Sequence, residues 1–391
     1  MMNHYSQLGS HMNRRDFLKM ASTITALFAM IKSTKARPAK LAKAWTAKQK
    51  NAKKNDDYHR NVISIHCAEA TDWDFKAEPY VDYSHSDVIK QMLNLGVQEL
   101  VGGDTQEISW QKLFSNYTPG DRIAIKINVN DIHKELHGFY TSPIVVGSII
   151  SCLKDNLDIP EQNIMVYDCA RGIPAPYRQR VGYQVDFVEG SPTTLWRKIK
   201  KHITKNLAIP DPGKEITMHV PVHDEHGNAV NCYLPVCLSD VKHIINVPIF
   251  KSHQFVLASG ALKNHYGTVR FSDGINYPKY LHPPIIHQAI ADLNAHPDVM
   301  SKTRLVIMDA LFGRLSKKSG KPQSWQIFGN QTPNRLFISC DPVALDTVSS
   351  GYVREELIRR KKTVLSDQYL ELAEKAGIGR KSEITLKEIT I

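Results

Sequence analysis

Apolar and polar positions follow two rhythms along this chain, and the switches between them mark out its elements. Val62-Ile63-Ser64-Ile65 is a short apolar run that predicts a strand. Over Ser86–Leu95 the apolar positions Val88, Ile89, Met92 and Leu93 keep helical spacing, and Gly96 is the expected C-cap. After the turn Pro119-Gly120-Asp121, residues 122–129 alternate as a strand, and Ser142-Pro143 opens a helix through Ile149-Ile150. Further strands are predicted over residues 163–168, 241–249, 305–309 and 336–339, with a helix over His287–Leu293. Asp341 is the expected N-cap of a last helix, with Pro342 in its first turn. Strands separated by helices predict an α/β fold with a mainly parallel sheet and helices on both faces. The irregular stretch 180–240 reads as an insertion or a second lobe.

The first 60 residues follow neither rhythm. Arg14-Arg15-Asp16-Phe17-Leu18-Lys19 reads as a twin-arginine targeting motif, with Arg14, Arg15, Phe17 and Leu18 carrying the signal. The apolar run Ile24–Ile31 behind it has the length of a signal-peptide core and is far shorter than the about 20 residues of a membrane span. Residues 1–36 are therefore expected to be a signal peptide and 37–60 a basic linker before a body at 61–391. The expected partner in export is the twin-arginine translocase, and the expected destination is the periplasm. That route carries folded proteins and makes a cofactor loaded before export an expectation.

Charge sharpens the picture once it is located. The formal net charge is +11, but residues 1–60 hold 13 Lys/Arg against 3 Asp/Glu, and the rest holds 37 against 36. A near-neutral body lacks the concentrated basic face that nucleic acid requires. The six cysteines, Cys67, Cys152, Cys169, Cys232, Cys237 and Cys340, are scattered, so no cysteine-ligated iron–sulfur cluster is expected. Cys232 and Cys237 are the closest pair in sequence, and spacing alone does not establish a bridge. His223-x-x-His226 ahead of them is loosely zinc-like, without the spacing of a ribbon or finger.

Candidate chemistry gathers where strands end, the rim at which α/β folds bind ligands. Lys126 and Asn128 alternate on one strand face and are read either as a grip on a carboxylate or phosphate or as a polar face in solvent. Asp168 closes the next strand as a site acid or as the cap of the turn leading to Gly172; no dinucleotide glycine fingerprint is present. The densest stretch runs from Asn246 to Gly267 and includes Lys251, His253, Lys263 and Asn264. Lysines there can position an anion or react as amines, and histidines can move protons or bind a metal. Asp309 is expected on the same rim, and Asp346 to face either the site or solvent. His282 is preferred to His287 as a further proton carrier.

Taken together, Lys126-x-Asn128, Asn246-Val247-Pro248-x-x-Lys251-x-His253, Gly260-Ala261-Leu262-Lys263-Asn264-x-x-Gly267 and Asp341-Pro342-Val343-Ala344-x-Asp346 resemble domain-of-unknown-function family 362 (DUF362), over about residues 60–380. The resemblance implies that the shared Lys, His, Asn and Asp residues form one site. Members often have Lys-Pro-Asn where this chain has Lys126-Ile127-Asn128, and many carry a ferredoxin-like cysteine module that this chain lacks. Two functions are therefore expected. One is an enzyme acting on an anionic small molecule or organic cofactor, with His253, His282 and Lys263 in the chemistry and Lys126, Asn128, Asp168, Lys251, Asn264, Asp309 and Asp346 binding. The other is a non-catalytic carrier or chaperone for a metal or cofactor.

Overall fold

The computed structural model describes residues 56–133, 135–190, 208–274, 278–315 and 320–391. The targeting residues Arg14, Arg15, Phe17 and Leu18, and the linker as far as residue 55, lie outside them. Contacts gather the described residues up to 117 and from 121 onward into one compact unit, which holds every element named below.

Among the described residues nine strands form one sheet. They are β1 (Asn61–His66), β2 (Arg122–Ile127), β3 (Ile164–Asp168), β4 (Asp186–Glu189), β5 (Val241–Val247), β6 (Ile249–Lys251), β7 (Thr303–Arg314), β8 (Arg335–Ser339) and β9 (Thr385–Thr390). Their order in space is β9-β1-β8-β7-β5-β2-β3-β4, with β6 paired beside β7. β8 is antiparallel to both its neighbours, and every other pairing is parallel. The central strands are buried almost throughout, which is why β3 and β5 read as near-continuous apolar runs.

Helices cover both faces, as the α/β reading expects. The principal ones are α1 (Ser86–Val101), α2 (Pro143–Leu157), α3 (Ala261–Asn264), α4 (Ile286–Ala295) and α5 (Pro342–Arg359). α1 lies on β1 and β8, and α5 on the opposite face, where Phe337, Leu345, Val353 and Leu357 share a core. α1 does not stop at Gly96. That glycine lies mid-helix against Ile338 and Ile65, where a methyl group would strike the Ile338 side chain, and the helix ends at Gly102 in the left-handed region. Asp341 does cap α5, accepting from the N–H groups of Val343 and Ala344 at 2.8 and 2.9 Å. Within the stretch 180–240, β4 joins the edge of the large sheet, while 232–235 pairs with both 210–215 and 270–271 in a separate three-stranded sheet. No disulfide forms among the six cysteines. Cys232 and Cys237 belong to two different core clusters. Among the described residues, no helix is long and apolar enough to cross a membrane.

From β2 the chain moves outward to β3 and β4, whereas from β5 it moves the other way to β7 and β8. β2 and β5 are neighbours, so the topological switch lies between them, and a ligand crevice is expected outside their carboxyl ends. Asp309 stands beside Ile249, level with the end of β5, but β7 continues past it to Arg314. Its buried carboxylate accepts from the N–H of Ser142 at 2.7 Å, fixing the entry to α2, and burial raises its pKa to about 6. Replacing Asp309 by Ala strands a buried N–H and should lower stability by about 1–3 kcal/mol, read from the urea unfolding midpoint. An unchanged midpoint would remove this role.

Candidate active site

The strand ends of the switch point put a lysine and an asparagine side by side. Lys126 on β2 is in register with Asn246 on β5 and Tyr167 on β3. Lys126 is fully buried, and its Nζ donates to Asp168 Oδ2 at 3.2 Å and to the Ile127 carbonyl at 2.5 Å. Gly267 closes over this ion pair: a Cβ there would lie 2.6 Å from Asp168 Oδ2 and 2.7 Å from Lys126 Nζ. Asn128 follows β2, held by its backbone to Thr141 (N–H to Oγ1, 2.8 Å), whose hydroxyl in turn donates to the Val247 carbonyl at 2.9 Å.

Beyond β6 the chain turns into α3, and one carboxylate fixes that turn. Asp346 on α5 is wholly buried and accepts from the N–H groups of Ala261 at 2.5 Å and Leu262 at 3.0 Å. A side chain at Gly260 would collide with that carboxylate. Burial raises the Asp346 pKa to about 7 against the pull of these two donors. Asp346 therefore faces neither the cavity nor solvent. It orients the helix that carries Lys263 and Asn264. Asn264 donates to Asn246 Oδ1 at 2.7 Å, and Asn246 donates to the Ala261 carbonyl at 2.9 Å. The Asn264 Oδ1 is buried and has no hydrogen-bond partner among the described residues.

These elements enclose a cavity of about 90 Å³ lined by Asn128, Asp168, Lys251, His253, Lys263 and His282, among others. Nine of the ten residues singled out by sequence thus bear on one place: eight line it or floor it, and Asp346 supports it. Lys263 Nζ lies 4.2 Å over the ring of Tyr266. Among the described residues neither Lys251 nor Lys263 forms an ion pair with a carboxylate. Burial lowers both pKa values to about 7, helped by Arg314 in the case of Lys251 and by Lys251 in the case of Lys263.

The two histidines stack, with centroids 6.1 Å apart and planes at 6°. Burial depresses both pKa values, that of His282 to about 4, with Lys263 adding to the effect. Neutral rings carry one proton each, and their neighbours fix where it sits. His253 Nδ1 accepts from the Phe255 N–H at 3.2 Å, so its proton is on Nε2. His282 Nδ1 lies 3.3 Å from the Lys279 carbonyl, which only accepts, so its proton is on Nδ1 and its Nε2 is the acceptor. The pair presents one donor and one acceptor, the requirement for moving a proton.

Two contributors escaped the sequence reading. Arg314 closes β7 beside Lys251 and donates to Asp131 Oδ2 at 2.5 Å. Its signal was hidden because the strand is read from sequence as ending at Asp309, whereas it runs on to Arg314. Tyr266, inside the stretch Asn246 to Gly267 but given no role there, is the ring under Lys263. His223, His226, Cys232 and Cys237 are not brought together, and no group of three or more metal-type ligands converges among the described residues.

The family described as Domain of unknown function (DUF362) matches residues 123–350, and the chain belongs to it. No curated protein matches the sequence. The matched span includes every cavity residue named above.

Lys126 and Asp168 form the floor as a buried pair, so removing one partner leaves the other charge uncompensated. Asp168→Ala should cost about 3–5 kcal/mol of stability, and the double variant Lys126→Met/Asp168→Ala should recover part of it. Additive losses in a double-mutant cycle would show that the pair is not coupled.

Proposed function

We propose that this DUF362 member is an enzyme that binds a small anionic molecule or anionic organic cofactor in the cavity and moves a proton on it. The observation that carries the reading is the pair of buried lysines, Lys251 and Lys263, facing one cavity without a carboxylate partner among the described residues. An ammonium taken from water and left unpaired is costly, and a ligand carboxylate or phosphate would supply the missing charge. Asn128 and Asn264 add neutral hydrogen-bonding groups, and the Asn264 Oδ1 without a partner suits a donor on the ligand. His253 would act as the proton donor and His282 as the acceptor, which distinguishes an enzyme from a carrier that only holds its cargo.

The sign of the pH dependence follows from the lysines. With pKa values near 7 in the empty site, both amines lose their protons as pH rises, whereas the bound anion favours the protonated forms. Binding of oxalate, a compact dianion, should therefore be tightest below about pH 7. It should weaken roughly tenfold per pH unit above that for each lysine that must be recharged. Calorimetric titration in buffers of different ionisation heat should also register proton uptake. No binding at about pH 6, or an affinity indifferent to pH, would sink the anion site.

We also propose export to the periplasm by the twin-arginine route. The support is the order Arg14-Arg15, Phe17-Leu18 and a short apolar core, and the confinement of the excess positive charge to residues 1–60. The Arg14→Lys/Arg15→Lys variant should accumulate in the cytoplasmic fraction, and undiminished export of that variant counts against the signal.

A further inference from the structure

The anion-site reading leaves the two lysines interchangeable, yet their surroundings differ. Lys251 has the Arg314 guanidinium, itself paired with the Asp131 carboxylate, as its charged neighbour, so a second group of N–H donors stands at that corner. Lys263 faces an aromatic ring at 4.2 Å and the stacked imidazoles, with Lys251 as its cationic neighbour. Tyr266 is itself held rigid, its hydroxyl donating to the Leu281 carbonyl at 2.7 Å. The first corner suits a carboxylate. The second suits a reacting amine, because a lysine beside another cation and out of water keeps a usable fraction of its amine unprotonated.

We propose that Lys263 is an imine-forming nucleophile and that the substrate is a small 2-oxo acid, held by its carboxylate at Lys251 with its keto carbon toward Lys263 Nζ. This rests on the anion-site reading and goes beyond it by naming the substrate class and the bond formed. The Lys263 nitrogen adds its lone pair to the keto carbon, and the carbonyl π pair moves onto oxygen. His282 Nε2 takes one amine proton, which passes to that oxygen. The second amine hydrogen reaches the resulting hydroxyl by way of the His253 Nε2–H, which gives its own proton and is refilled. The C–O bond then breaks as the C=N bond forms. Water leaves with both amine hydrogens and the former carbonyl oxygen, so no oxidant or reductant is consumed. On taking up a proton from solvent, the imine nitrogen would be a cation over the Tyr266 ring, which stabilises it.

The scaffold meets the geometric demand of such a step. The α3 backbone is pinned by Asp346 at Ala261 and Leu262, and the Asn264 side chain by Asn246, so Lys263 projects from a rigid base.

The test uses the full chain with pyruvate and sodium borohydride. Reduction of an imine leaves a secondary amine, so intact mass should rise by the mass of pyruvic acid less one oxygen atom. Peptide mapping should place the adduct on Lys263, excess oxalate should suppress it, and Lys263→Arg should abolish it while circular dichroism stays unchanged. Lys251→Ala should raise the pyruvate concentration needed for half-maximal labelling by roughly tenfold or more. An adduct confined to Lys251, or no suppressible adduct in a protein that still binds oxalate, overturns the imine and leaves the anion site standing. Absence of both labelling and oxalate binding overturns both.

Discussion

Positive charge buried without negative charge beside it is the constraint around which this fold is arranged. Lys126, Lys251, Lys263 and Arg314 are each at most 8% exposed. Two are neutralised in place, Lys126 by Asp168 and Arg314 by Asp131. The other two are brought to the same cavity from β6 and α3, where burial moves both amines toward neutrality at ordinary pH. A structure that served stability alone would give them carboxylates or replace them with apolar side chains. Local cost at a site, offset by packing elsewhere, is the usual mark of function.

What holds this arrangement is a set of short, directional contacts, since α3 is too brief to stand on its own hydrogen bonds. Asp346 supplies acceptors at its start, Asn246 clasps it from β5, and Leu262 and Tyr266 anchor it in the core beneath α4. Two close approaches then demand glycine. At Gly260 the carboxylate of Asp346 occupies the space of a side chain, and at Gly267 the Lys126–Asp168 pair does. The clustering of Gly, Lys, Asn and His in one stretch is thus both chemical and steric in origin.

The sheet was legible because its strands are short apolar runs bounded by turns, and the rim because polar residues stand where those runs stop. Lys126, Asn128, Asp168, Lys251 and His253 follow from that rule, whereas Lys263 and Asn264 stand out by the density of polar residues that follows and His282 by its nearness in sequence to them. Asp309 does not follow the rule, since the apolar pattern of β7 carries on through Leu311 and Phe312 and moves the true strand end to Arg314. Gly96 reads locally as a helix stop, but its role is set by Ile338, far away in sequence. The anchoring by Asp346 and the opposite tautomers of His253 and His282 depend on partners brought by folding. No local pattern encodes them. β9 also escapes, because an exposed edge strand has no buried face to impose alternation.

The polarity of β1 has a bearing on how the molecule is presented to its surroundings. β1 is antiparallel to β8, which is itself antiparallel to β7, so β1 points the same way as β2, β5 and β7. Asn61 therefore stands at the edge where these strands begin, and the cavity at the edge where they finish. The chain enters the folded unit from the pole opposite the cavity mouth. Contacts made at the start of β1 and contacts made at the cavity therefore fall at different ends of the sheet.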